Sequence, residues 1–163
     1  QVREEFGQVD FLANTAGGYV GGNEIADVTL EEWESIIKMN LLTTFLVCRA
    51  ALRDMRRHNF GRIINIAAMP ALNPSPKKGP YAVSKSGVIT LTETIAAEVK
   101  GTGITANAIA PSTILTDANK RSMPNADFRK WVPPEHLADL IMYLCSDSAA
   151  SINGNVIRVY GGA

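Results

Sequence analysis

Four short apolar runs alternate with helical stretches along this chain, and that alternation limits its fold more than any other feature. The runs are Val9 to Ala13, Arg62 to Ala67, Ile104 to Ala110 and Asn155 to Val159, and each reads as a strand. Between the first two, Thr29 stands as an N-cap with Glu32 three residues on, the pattern of a capping box. From there Leu30, Trp33, Ile37 and Leu41 recur at helical spacing, and the pattern runs on to about His58. This helix is apolar over much of its surface, which predicts packing on two sides. A second helix is predicted over residues 81–100, rich in Ala and Ser that let another helix approach closely, and Gly101 to Gly103 stop it. A third starts at Pro133-Pro134-Glu135, proline being favoured in a first turn, with Leu137, Leu140, Ile141 and Leu144 on its apolar face. Strand–helix alternation of this kind predicts one α/β domain built on a parallel sheet with right-handed crossovers. Such sheets bind ligands outside the carboxyl ends of their strands. Those ends are Asn14, Ala67-Ala68 and Ala110-Pro111, and each opens into a Gly- or Pro-rich loop.

Composition removes several classes of function. Sixteen Lys and Arg balance sixteen Asp and Glu, so no excess of basic charge is available for a nucleic-acid partner. The short basic run Arg53, Arg56, Arg57 and His58 reads as a solvated helix end. No apolar stretch is read as reaching the about 20 residues needed to span a bilayer, and no membrane partner is expected. No secretory signal pattern is seen, so a cytoplasmic location is expected. Cys48 and Cys145 read as free thiols of a reducing compartment. His58 and His136 have no neighbouring Cys or His, so no metal site is expected. Residues 1–6 read as the end of a helix whose start is not in the sequence, since no cap precedes them.

The residues able to carry chemistry gather in the loops and in one helix start. Tyr81 and Lys85 are four apart and share a helical face. A lysine ammonium and a helix N-terminus beside a phenol both favour phenolate, so a lowered Tyr81 pKa is expected, suited to proton exchange with a carbonyl or alcohol oxygen. Tyr19, in the loop holding Gly17, Gly18, Gly21 and Gly22, either stacks on a planar substrate ring or closes over the core. Trp33 and Trp131 read as packing residues. The Gly17–Gly22 loop lacks the spacing of a dinucleotide phosphate cradle, and no helix follows it at once.

Asn14-Thr15-Ala16-Gly17 after the first strand, Asn40 in mid-helix, Tyr81 and Lys85, and Asn107 to Pro111 followed by Ile114 and Thr116 occur together in register. In that order they resemble the motifs of the short-chain dehydrogenase/reductase family. The resemblance implies a Rossmann-like doubly wound sheet, NAD(H) or NADP(H) as cofactor and a small-molecule substrate. It implies Tyr81 as proton donor, Lys85 tuning it and binding ribose, and Asn40 holding a water of a proton relay. Asn14, Ala16 and Gly17 would support the adenine side, Ile66 and Pro111 would line the cofactor, and Ile114 and Thr116 would meet the carboxamide. It also implies a homodimer or homotetramer formed through helices 29–58 and 81–100.

Two departures narrow this. The glycine after the last motif's proline is Ser112, and the family's substrate-polarising serine is replaced by Ala68. Losing one such donor costs on the order of a hundredfold in rate for a carbonyl substrate. Within the family, the segments Ala16 to Asn23 and Asn119 to Trp131 resemble the dihydropteridine reductases, which share the alanine and reduce a conjugated imine. Ala68, Tyr19 and Met123 are then the expected substrate-facing residues. The family's glycine-rich pyrophosphate turn and the strands that carry it have no counterpart here, so the chain is expected to be the C-terminal two-thirds of the domain. The alternative is a truncated, non-catalytic module kept for oligomerisation or binding; the retained Tyr81, Lys85 and Asn40 favour the enzyme.

Overall fold

The computed structural model describes residues 2–162. Helix α1 (Val2–Phe6) precedes strand β1 (Phe11–Asn14), and Gln1 lies outside the described residues. Next come helices α2 (Leu30–Ile37) and α3 (Thr43–His58), strand β2 (Gly61–Ile66), helix α4 (Gly79–Glu98) and strand β3 (Ile104–Pro111). Helices α5 (Asp117–Ser122) and α6 (Pro134–Cys145) and strand β4 (Val156–Val159) complete the order. The four strands pair in parallel as β1-β2-β3-β4, with Asn14 opposite Asn65 and Ile66 opposite Ile109. This is the expected Rossmann-like α/β sheet.

Side-chain alternation along the strands decides which helix covers which face. Ile63 packs with Cys48, Ala51 and Met55 of α3 and with Ile95 of α4, whereas Ile64 packs with Leu137 and Leu144 of α6. On β3, Ala108 and Ala110 face Val88 and Ile89 of α4. Alanines leave no bulk on this face, so α4 lies close on the sheet. The result is a sheet sandwiched between α3 and α4 on one side and α6 on the other.

Several local expectations are corrected. The helix predicted over 29–58 is continuous but contains one wide π turn, Lys38–Leu42, between α2 and α3. The capping box is half formed. Thr29 Oγ1 accepts from the Glu32 amide, but the Glu32 carboxylate accepts from Asn23 Nδ2. The helix predicted from Tyr81 starts at Gly79, with Pro80 in its first turn. The loop expected before Trp131 contains α5, because Thr116 caps it by accepting from the Asn119 amide. Trp131 is buried and rings with Phe128 at 4.7 Å, as a packing residue should, whereas Trp33 remains more than a third exposed.

The membrane expectation also needs correcting. The run Leu30–His58 is long and apolar enough, by length and composition, to cross a bilayer. No residue between Lys38 and Arg49 is charged, and Asn40, Thr43 and Thr44 weigh little against their apolar neighbours. Within this run Asn40, Thr44 and Asp54 are buried, with hydrogen bonds to Gly18, Asn14 and the Val9 amide. Its exposed apolar side chains include Leu30, Leu42, Phe45 and Leu46.

Candidate active site

The site is assembled at the carboxyl ends of β1 and β2, where the sheet meets α4 and the wide turn. Helix α4 carries Tyr81 in its first turn and Lys85 one turn on. Lys85 is 5% exposed, and its Nζ donates to the Ile66 carbonyl at the end of β2, 2.8 Å away. Burial pulls its pKa down to about 8.

Tyr81 does not follow the expectation of a lowered pKa. Burial first, and the neighbouring Tyr19 phenol second, push it up to about 12. The physical reason is that Lys85 is itself desolvated and turned toward Ile66, so desolvation of the phenol outweighs attraction to the ammonium. Tyr81 thus keeps its phenolic proton at neutral pH. Tyr19 meets it edge-on, with ring centroids 5.0 Å apart, while remaining 53% exposed. At that exposure Tyr19 contacts the Tyr81 ring rather than closing over the core.

Asn40 occupies the wide turn. π turns recur at functional sites because the extra residue re-aims a side chain. Here Asn40 is fully buried, and its amide grips the Gly-rich loop at both ends of one residue. Gly18 N–H donates to Asn40 Oδ1 at 3.0 Å, and Asn40 Nδ2 donates to the Gly18 carbonyl at 3.1 Å and to Ser84 Oγ at 3.2 Å. The Asn40 carbonyl accepts from Thr44 Oγ1. Gly17 lies between the two functional side chains. A Cβ there would stand 2.5 Å from Asn40 Oδ1 and 3.1 Å from Lys85 Nζ, and Gly17 has φ +149°. There is no room for a side chain there, so the loop backbone lies directly against the buried Lys85 ammonium, a donor of the kind that can hold ribose hydroxyls. Lys85, Tyr81 and Gly17 are the residues that would hold the ribose.

The remaining expected residues divide. Asn14 is at the end of β1, but its side chain is spent inside the protein. Nδ2 donates to Thr44 Oγ1 and Asn65 Oδ1, and Oδ1 accepts from the Ala16 amide. Pro111 ends β3, and Ile114 bridges to Val132. Thr116 spends its hydroxyl capping α5, with Met123 at the other end of that helix, 40% exposed. Ala68 is 5% exposed directly after β2. Ser112 Oγ donates to the Tyr160 carbonyl.

Sequence reasoning missed the polar residues that link these groups. Asn65 accepts from Asn14 and from the Cys48 thiol and donates to Thr92 Oγ1. Thr44 joins Asn14 to Asn40, and Ser84 joins Asn40 to Tyr81. One signal was available: an asparagine inside the run Ile63-Ile64-Asn65-Ile66 needs buried partners.

Known proteins resemble this chain over almost its whole length. The model of the family described as "Enoyl-(Acyl carrier protein) reductase" matches residues 1–163. The D-beta-hydroxybutyrate dehydrogenase of Rhizobium meliloti is 34% identical over 99% of this chain and 70% of its own length. A 3-oxoacyl-(acyl-carrier-protein) reductase of Escherichia coli is 34% identical over 99% of this chain and 69% of its own. The crystal structure of a variant actinorhodin polyketide ketoreductase with NADPH superposes with a TM-score of 0.89 at 29% identity, covering 99% of this chain and 69% of that one. This chain thus spans about 70% of the length of these relatives.

Proposed function

The chain belongs to the short-chain dehydrogenase/reductase family and its cofactor is NAD(P)H; from that premise we propose that it reduces a pterin-like or other conjugated carbonyl or imine group, with Tyr81 as proton donor. The observation that carries this reading is the buried Lys85 ammonium, one turn from Tyr81 and against the Gly17 backbone. A non-catalytic module has no use for a buried charge in that position, whose burial is costly.

The cofactor, when bound, supplies the hydride. The protein's own part is to place the proton. Tyr81 Oη–H donates to the substrate oxygen or nitrogen as that atom gains negative charge, so the double bond is reduced by two electrons and one proton is taken from the phenol. The phenolate left behind, disfavoured by burial, regains its proton from water. Asn40, through its carbonyl, is the proposed anchor of the water that returns it. Asn14, Ala16, Gly17, Ile66, Pro111, Ile114 and Thr116 are proposed as the cofactor's surroundings, with Ala68, Tyr19 and Met123 facing substrate.

The substrate class rests on Ala68 and Tyr19. An alanine provides no donor to a carbonyl oxygen, which matters least for a conjugated imine. A half-exposed tyrosine edge suits a planar ring. The discriminating assay is NADH- or NADPH-dependent turnover of a quinonoid dihydropterin against a 3-oxoacyl thioester, with Tyr81→Phe as control. Faster turnover of the thioester would remove the pterin assignment. Unchanged turnover in Tyr81→Phe would remove the catalytic one.

A second copy of the chain is the proposed partner, packed across α3 and α4 in the cytoplasm. The exposed Phe45 and Leu46 there, and a groove of 270 Å³ between Phe45, Leu91 and Glu98, support this. A sedimentation equilibrium mass of one chain would exclude it.

A further inference from the structure

Ser84 lies next to Lys85 in sequence and is fully buried, yet its hydroxyl points to neither substrate nor solvent. It donates to the Tyr81 carbonyl at 2.8 Å and accepts from Asn40 Nδ2 at 3.2 Å. A serine hydroxyl has one proton, and here that proton is committed to Tyr81, so toward Asn40 it can only accept. Together with the Gly18 carbonyl, which also accepts from Nδ2, that fixes which way the Asn40 amide faces. Its nitrogen must be on the Ser84 side, so its oxygen receives the Gly18 N–H. A flipped amide would set two acceptors against each other at Ser84 and two donors at Gly18.

We propose that Ser84 is a positioning residue, which orients the Asn40 amide and so holds the Gly17–Tyr19 loop in register with Tyr81. The proposal rests on the catalytic reading of Tyr81 for its kinetic consequence, but not for its structural one. The chain of contacts is continuous. Tyr81 C=O binds Ser84, Ser84 binds Asn40, Asn40 binds both polar groups of Gly18, and the next residue, Tyr19, returns to the Tyr81 ring. Tyr81 is thus fixed at its backbone and at its ring by two ends of one circuit. Gly17, at the start of that loop, borders both Asn40 and Lys85, so a shift of the loop also alters the surroundings of the Lys85 ammonium.

The test is Ser84→Ala in the full chain, with Ser84→Thr as the hydroxyl-keeping variant. Hydrogen exchange of the Gly18 amide is followed beside that of the core amide of Ile64. Loss of one buried hydrogen bond predicts about tenfold faster exchange at Gly18 with Ile64 unchanged, and recovery in Ser84→Thr. A purely local role in the first turns of α4 would leave Gly18 unmoved. In an Asn40→Ala background, Ser84→Ala should have no further effect on Gly18, a second measurement that holds if the threonine variant does not fold. kcat should fall about tenfold in Ser84→Ala with KM little changed. Unchanged exchange at Gly18 in Ser84→Ala, or equal effects in the presence and absence of Asn40, overturns the proposal. Turnover that survives Tyr81→Phe instead overturns the catalytic reading and leaves the exchange result to judge Ser84 alone.

Discussion

The ring of Tyr19 meets that of Tyr81 edge-on at 84°, with centroids 5.0 Å apart, so a loop aromatic covers the phenol from which the proton is to leave. Both the burial of Tyr81 and the nearby Tyr19 phenol raise its pKa. Tyr19→Ala removes part of each cause. A proton donor works only while protonated, so the alkaline limb of kcat should move to lower pH in this variant. An edge contact of this kind is worth about 0.5–1.5 kcal/mol, so the activity loss should be about two- to tenfold. Tyr19→Phe keeps the ring and should lie between the two. A limb that does not move in Tyr19→Ala sinks the idea.

Tyr81→Phe should lose about 10²- to 10⁴-fold in turnover, the usual worth of one positioned proton donor. Its thermal midpoint should change little, because among the described residues the Tyr81 hydroxyl makes no side-chain hydrogen bond. Steady-state kinetics and a melting curve on the same preparation check both halves.

Lys85 makes stability depend on pH. Its folded pKa is depressed to about 8 from 10.5, so between these values the unfolded chain holds a proton that the folded chain has released. Stability therefore rises as pH goes from about 8 toward 10.5, by about 3 kcal/mol for a shift of this size. Tyr81 works in the opposite sense: its raised pKa gives stability that is present below pH 10 and lost toward about 12. Denaturant titrations at pH 8 and pH 10 should show the rise in the wild type and its absence in Lys85→Met.

Gly17→Ala places a methyl group against Asn40 Oδ1 and Lys85 Nζ at a backbone angle that disfavours side chains. Overpacking of this order costs about 1–3 kcal/mol. The same methyl would press on the Lys85 ammonium proposed to bind ribose, so cofactor affinity should fall together with stability. Cofactor fluorescence titration of a folded Gly17→Ala protein with wild-type affinity would refute that placement of the ribose.

Ala68→Ser tests the substrate class. A hydroxyl restored at this buried strand end should raise reduction of a ketone or 3-oxoacyl thioester by tenfold or more, the scale of one oxyanion donor. Turnover of a quinonoid dihydropterin should stay within a few-fold. Equal gains on both substrates would mean that the alanine does not select between them.

The parallel sheet was legible in the sequence because strand–helix alternation is a global pattern that survives errors of a residue or two at each boundary. Tyr81, Lys85 and Asn40 were legible through motif spacing. The direction of the Tyr81 shift was not, because spacing locates a charge but does not tell how much water surrounds it. The short helix α5 was hidden because its cap, Thr116, is followed by a polar sequence with no apolar period. Ser84 and Thr44 were hidden for a related reason. A serine in a helix reads as a small residue, and only the fold reveals that Asn40 stands opposite. Asn65 was the exception, a polar residue whose presence in an apolar strand demanded partners.

The wide turn at Lys38–Leu42 gives the protein an unusual vulnerability at the level of its gene. Removing one codon there would convert the turn into ordinary α-helix, a change that costs the backbone little. Because the wide turn holds one residue more than an α turn, its loss would leave Ile36 before it and Cys48, Ala51 and Met55 after it facing the core as before. A lineage could lose Asn40 from its place over Gly18 without losing a well-formed helix, so a one-codon deletion would silence the site while sparing the scaffold.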